Sequence, residues 1–266
     1  MSLILTFYKY QGTGNDFVMI DGRNQDTSPL NERLIRQLCH RRFGIGADGL
    51  IILEESPETD FRMRYFNADG REGTMCGNGG RCITLFAAQL GMIHHETAFE
   101  GIDGIHHATL LDNNSVRLKL NDVKGMSIFE DGYLLHTGSP HFVTFVPGID
   151  TLDVDKLGKE IRNQARFGEG GVNVNFVAQT GTPGSIEVRT FERGVEAETY
   201  SCGTGVTAAA ICSFFHFKTD NIAYRVETRG GSLQVQFNPE DPDHIKEVFL
   251  TGPAKKVFNG SIEVEP

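Results

Sequence analysis

The 266-residue chain has no tryptophan, no apolar run near the roughly 20 residues that a membrane-spanning helix needs, and no surplus of positive charge. Without such a run a helical membrane protein is not expected, and the reading is a soluble chain. The 25 basic residues are outnumbered by 35 acidic ones, for a net charge of −10. That balance repels polyanions and leaves no Lys/Arg-dense stripe for a phosphate backbone, so nucleic acid is not an expected partner. The opening "MSLILTFYKY" has no basic leader, no long apolar segment and no small-residue cleavage site. It reads as a first strand of a cytoplasmic protein rather than a signal peptide.

Two nucleotide motifs are missing as well. No G-x-x-x-x-G-K-[ST] loop occurs, and "GIGADG" (44–49) matches G-x-G-x-x-G in letters alone. It follows a helical pattern and opens the strand "LIIL", whereas a dinucleotide fingerprint follows a strand and opens a helix. Nor does paired C-x-x-C spacing occur among Cys39, Cys76, Cys82, Cys202 and Cys212, an odd set that reads as reduced thiols rather than a zinc site or a disulfide framework. His94, His95, His106 and His107 have no ligand spacing and are expected on surfaces and strands, so no metal is expected.

What is present is a repeat. "TGNDFV" (13–18) returns as "TGSPHFV" (137–143), and "RFGIG" (42–46) as "RFGEG" (166–170), both displaced by 124 residues. Phe66 and Phe191 are 125 apart, Cys76 and Cys202 are 126 apart, and "EGIDG" (100–104) meets "ETRGG" (227–231) at 127. One order with a slowly growing offset is the mark of a duplication. Each half reads as strand, strand, helix, strand, strand, Cys-turn-helix, then several strands, an α+β pattern. The first helix is expected to start with Ser28 as N-cap and Pro29 in its first turn. "ITLFAAQL" (83–90) and "VTAAAICSFF" (206–215) are apolar nearly all round and must be enclosed. The expected architecture is therefore two pseudo-symmetric domains, 1–124 and 125–253, each a curved sheet or barrel wrapped around a central helix. Segment 254–266 is a candidate to complete the first.

"MCGNGGRC" (75–82) and "SCGTGVTA" (201–208) place one cysteine of each half where an enclosed helix begins. A helix start favours a thiolate, and the glycines leave backbone N–H groups uncovered for an anion. In a duplicated chain Cys76 and Cys202 are expected to face one shared cleft from opposite sides. One sulfur can then take a proton from a carbon while the other returns a proton to its opposite face, which is racemisation by general base and general acid. The uncovered N–H groups would hold the charge that develops as the proton leaves. Cys39, Cys82 and Cys212 fall inside helical patterns and are assigned to the core. His141, at the equivalent of "GND" in the second half, is a candidate for lining the cleft.

The motifs "GTGNDF", "RRFGIGADGL", "FNADG", "MCGNGGRC", "ERG" and "SCGTG", in this order along almost the whole chain, resemble the diaminopimelate epimerase family. The resemblance implies a two-domain isomerase that needs no pyridoxal phosphate or other cofactor. It would interconvert LL- and meso-2,6-diaminopimelate on the route to lysine and peptidoglycan. It also implies Cys76 and Cys202 as the catalytic pair, with His141 and Glu192 assisting. Substrate would be held by Asn15, Asn67, Asn173, Glu192 and Arg193, and by the backbone at Gly77, Asn78, Gly203 and Thr204. Arg193 offers a two-pronged partner for a remote carboxylate and Glu192 a partner for an ammonium. Two positions depart from the pattern: Gly49 stands where many members carry glutamine and is not carried over, and Ser139 stands where they carry asparagine and is carried over as a substrate-binding residue. The partners expected are a small-molecule substrate and, as an open alternative, a second copy in a homodimer. Rival readings are a proline or hydroxyproline racemase of the same architecture, and a noncatalytic thiol redox or small-molecule binding protein.

Overall fold

The computed structural model describes residues 3–265. The chain divides into two compact units: one runs to Leu118 and takes back the chain from Pro253 onward, and the other is Lys119–Gly252. The first half contains β1 (Leu3–Gly12), β2 (Asn15–Asp21), α1 (Glu32–Cys39), β3 (Gly49–Glu54), β4 (Phe61–Asn67), β5 (Glu72–Gly73), α2 (Gly77–Gln89), β6 (Glu96–Gly101), β7 (Gly104–Leu110) and β8 (Ser115–Lys119). There follow β9 (Val123–Lys124), β10 (Met126–Phe129), β11 (Gly132–His136), β12 (Pro140–Phe145), α3 (Val154–Arg162), β13 (Asn173–Gln179), β14 (Ser185–Glu192), β15 (Ala197–Thr199), α4 (Gly203–Phe217), β16 (Ala223–Thr228), β17 (Gly231–Asp241), β18 (His244–Pro253) and β19 (Lys255–Val264).

The repeat is visible in the pairing rules. β2 runs parallel to β3, which is antiparallel to β4, and β4 in turn pairs with β5 antiparallel and with β6 parallel. β12, β13, β14, β15 and β16 reproduce each of those relations. Registers make the equivalence residue-specific: Val18 pairs with Leu50 and Leu50 with Phe66, as Phe142 pairs with Val174 and Val174 with Phe191. β19 lies antiparallel along β1, from Leu3↔Val264 to Gln11↔Lys255, with a register shift at Lys9/Tyr10.

Each unit encloses its second helix. Every residue from Gly77 to Ala87 of α2 is buried, and so is every residue from Gly203 to Ser213 of α4 except Thr204. A helix apolar on all sides has no face to give to water, so the strands must surround it. Tyr8 and Tyr10 of β1 pack their rings on Phe86 of α2. Around α4 the core is built from Val177, Val188, Val226, Val235 and Leu250.

The first helix begins later than the sequence suggests. Its N-cap is Asn31, whose side chain accepts from the Leu34 N–H, while Ser28 and Pro29 lie in the preceding turn. Asn caps as well as Ser, and the Asn31 bond to the Leu34 N–H is the one that forms, with Leu34, Ile35 and Leu38 buried beyond it.

Candidate active site

α2 and α4 start alike. Cys76 and Cys202 are the N-cap residues, both with extended backbone, at φ −99°, ψ 149° and φ −111°, ψ 113°. The first-turn N–H groups of a helix have no partner within it, and they bear the positive end of its dipole. A sulfur at the N-cap sits among those donors. Cys76 Sγ accepts from the Gly79 N–H at 3.2 Å. Cys202 Sγ lies 3.5 Å from the Thr204 hydroxyl instead. Cys76 is half-buried and Cys202 buried.

In the first unit the asparagines form a chain. Asn15 Nδ2 donates to Asp48 at 2.8 Å and Asn15 Oδ1 accepts from Asn78 at 3.3 Å, while Asn78 Oδ1 accepts from Arg81 at 3.0 Å. Arg81 is fully buried, and it also donates to the Gly77 carbonyl, the Thr13 hydroxyl and the Pro253 carbonyl. These four acceptors are uncharged, and burial lowers the guanidinium to about 10. Asn67, exposed at the end of β4, accepts from the Tyr65 hydroxyl at 2.9 Å. The register Phe17↔Gly49↔Asn67 aligns it with Phe17 across the intervening β3.

In the second unit the pairing His141↔Asn173 aligns the starts of β12 and β13. Asn173 donates to Ser139 Oγ at 3.0 Å and accepts from the Arg193 backbone N–H at 2.8 Å. His141 is fully buried, with Nε2 2.9 Å from both the Ser139 and Thr204 hydroxyls and Nδ1 3.1 Å from Asn175 Nδ2. Burial pushes the imidazole down to about 3, with His136 and Arg193 adding repulsion, so the ring is neutral at working pH. Glu192 is half-buried and accepts from the Thr199 hydroxyl at 2.6 Å, and the Arg193 side chain is exposed. Hydrogen bonds thus gather Ser139, His141, Asn173 and Thr204 beside Cys202, with Arg193 joined through its backbone.

A family model described as diaminopimelate epimerase matches residues 7–123 and 133–257. The diaminopimelate epimerase of Flavobacterium psychrophilum is 48% identical over 258 residues, covering 97% of this chain and 100% of its own. That of Aquifex aeolicus is 40% identical, covering 98% and 99%. The chain belongs to the diaminopimelate epimerase family. Solved structures carry the fold alone: a Bacillus anthracis phenazine biosynthesis protein of the PhzF family superposes with a TM-score of 0.75 at 15% identity, over 98% of this chain and 99% of the other. A hydroxyproline epimerase from Agrobacterium vitis, holding trans-4-hydroxy-L-proline, gives 0.70 at 15% identity over 99% and 93%.

As a diaminopimelate epimerase family member the chain is an isomerase, and its departure at Gly49 has a steric cause. A Cβ on Gly49 would meet the Tyr65 ring at 2.6 Å and the Phe66 carbonyl at 2.7 Å, so the aromatic ring holds the space of a longer side chain. Tyr65, Asn175 and Thr190 are site neighbours that the motifs do not name, and Arg81 is a motif residue to which the sequence reading assigns no role. Tyr65 immediately precedes "FNADG" on β4 and Arg81 lies within "MCGNGGRC" on α2, but nothing in local sequence says which distant groups their side chains reach. Cys39 and Cys82 are buried thiols raised by desolvation to about 12, and desolvation likewise raises Cys212 well above the ordinary thiol value. His94, His95 and His107 are exposed, but His106 is not a surface residue: it is buried in β7 against Phe99, with Nε2 3.0 Å from Asp103. Among the described residues no three His, Cys, Asp or Glu side chains are grouped as metal ligands.

Proposed function

We propose that the chain interconverts LL- and meso-2,6-diaminopimelate, supplying precursor for lysine and peptidoglycan, by proton exchange between Cys76, Cys202 and one α-carbon of the substrate. The observation that carries this reading is the repeated N-cap cysteine: two sulfurs, at equivalent starts of two enclosed helices, each followed by glycines. One thiolate removes the α-proton as general base, and the other thiol protonates the opposite face as general acid. The roles exchange in the reverse direction. The N–H groups at Gly77, Asn78, Gly203 and Thr204 receive the α-carboxylate and the charge that grows on it, each well-aimed donor contributing roughly 3 kcal/mol.

Asn15, Asn67, Ser139, Asn173, Glu192 and Arg193 bind the remaining polar groups. Arg193 takes a carboxylate, and Glu192 takes an ammonium and assists the proton exchange. The Tyr65 hydroxyl, next to Asn67, stands in for the side chain that Gly49 lacks. His141 acts from beneath Thr204.

The test is incubation of the protein with LL-diaminopimelate in heavy water. One deuterium should enter the α-position as the meso isomer appears, and Cys76→Ala and Cys202→Ala should each abolish inversion. Turnover of proline in place of diaminopimelate would overturn the substrate assignment. Inversion without solvent deuterium would overturn the mechanism.

A further inference from the structure

The two helix starts differ in what lies beneath them. In the second unit Asn175 Nδ2 touches the Phe142 carbonyl at 3.2 Å as well as His141 Nδ1. A carbonyl can only accept, so this atom is the amide nitrogen and it donates to both. Asn175 Oδ1 accepts from the Thr190 hydroxyl at 3.0 Å, which holds the amide in that orientation. His141 Nδ1 therefore faces a donor and must carry a lone pair. A neutral imidazole then has its proton on Nε2, aimed at the Ser139 and Thr204 oxygens. Asn173 also donates to Ser139. With its oxygen accepting from the ring, the Thr204 hydroxyl has its own proton to give to Cys202 Sγ at 3.5 Å.

The first unit has none of this. The strand registers make Phe17, Ile51 and Tyr65 the counterparts of His141, Asn175 and Thr190. Phe17 and Ile51 are fully buried and apolar, and Phe17 packs edge-on against the Tyr65 ring. The glycine notch in each helix repeats the contrast. A Cβ on Gly79 would meet Ile51 Cδ1, whereas one on Gly205 would meet Asn175 Oδ1.

We propose that Asn175 and Thr190 are positioning residues: they lock His141 as the neutral Nε2–H tautomer, so that a one-way chain of donors runs through Thr204 and ends on Cys202 Sγ as an acceptor. The chain serves one cysteine of the pair. It favours the thiolate at Cys202 by hydrogen bonding, without His141 taking the thiol's proton. His136 and Arg193 act on the ring and oppose a second proton on it. The proposal rests on the reading that Cys202 exchanges protons with substrate, but its test reads ionisation and tautomer rather than turnover.

Nitrogen-15 spectra of the histidine-labelled protein should show His141 protonated at Nε2 and bare at Nδ1 from pH 5 to pH 9, a window chosen to lie well above about 3. A proton on Nδ1, or on both nitrogens, overturns the assignment. Iodoacetamide labelling, resolved by peptide mass, then follows each cysteine against pH. In Thr190→Val, which alters a group two hydrogen bonds from the ring, and in Asn175→Leu, Cys202 should label about tenfold more slowly at neutral pH, its midpoint displaced upward by about one unit. The Cys76 profile should be unmoved. Thr190→Val keeps side-chain shape, so the test survives if Asn175→Leu fails to fold. Unchanged Cys202 labelling in a folded variant, or equal displacement of both cysteines, defeats the proposal. Absence of epimerase turnover with the labelling shift intact would instead count against the functional reading.

Discussion

Adding one methyl group at equivalent points of the two site helices should have opposite consequences. Gly79 and Gly205 both sit three residues after the N-cap cysteine. A Cβ on Gly79 would lie 3.2 Å from the ends of Ile51 and Met63 and 3.3 Å from Cys76 Sγ, contacts that flexible termini relieve by a few tenths of an ångström. Alanine is favoured over glycine inside a helix by ~0.5–1 kcal/mol, so Gly79→Ala should be near neutral for stability. A Cβ on Gly205 would lie 2.4 Å from Asn175 Oδ1, 3.2 Å from Cys202 Cβ and 3.3 Å from its Sγ. Asn175 cannot step aside, because it is fully buried and bonded to His141, Phe142 and Thr190. Overpacking costs about 1–3 kcal/mol and a strained buried hydrogen bond adds about 1–3, from which the propensity gain subtracts. The net loss is about 1–5 kcal/mol, a fall in Tm of about 2–20 °C. Calorimetry of the two variants is the assay. A Gly205→Ala protein as stable as the parent, or Gly79→Ala the more damaged of the two, would refute the reasoning.

Arg189 reaches Glu198 through two nitrogens at 2.6 and 2.8 Å and donates to the Ile149 and Leu152 carbonyls, with both side chains about 10% exposed. Arg189→Lys should lose ~2–3 kcal/mol in urea unfolding, because a single ammonium cannot span that set, and an unchanged midpoint would contradict it. Asp16 is desolvated, which raises its pKa, but hydrogen bonds from Arg41 and Lys9 overcome this and hold it at about 2 against 3.8 when free. Its stabilisation, about 1 kcal/mol once solvent screening of the exposed Arg41 is allowed for, is complete above the free value and is lost as pH falls toward 2. Asp16→Asn should therefore flatten the acid limb of the stability curve, and an unaltered limb would show that the pair contributes nothing. Cys39→Ala removes a buried sulfur in α1, outside the proposed site. It should leave deuterium exchange intact, and loss of exchange in a folded variant would place that thiol in the chemistry.

Much of the molecule is set by local rules that a sequence states openly. Helix-start cysteines followed by glycines, a 126-residue separation between them and two helices without a polar face are properties of neighbours in the chain. The cysteine caps, the enclosed helices and the repeated order of elements follow from those alone. The first helix is expected from sequence to start at Ser28, whereas its cap is Asn31, because local propensity does not fix where a cap's hydrogen bond forms. The asymmetry under the two cysteines belongs wholly to tertiary structure. Asn175, Thr190 and His141 are far apart in sequence, and they meet because strand register turns their side chains to one side of the sheets. In a strand that alternation has a period of two, so a single residue's shift in pairing would have sent all three elsewhere. Sequence thus determined which residues could do chemistry, and packing decided which of them touch.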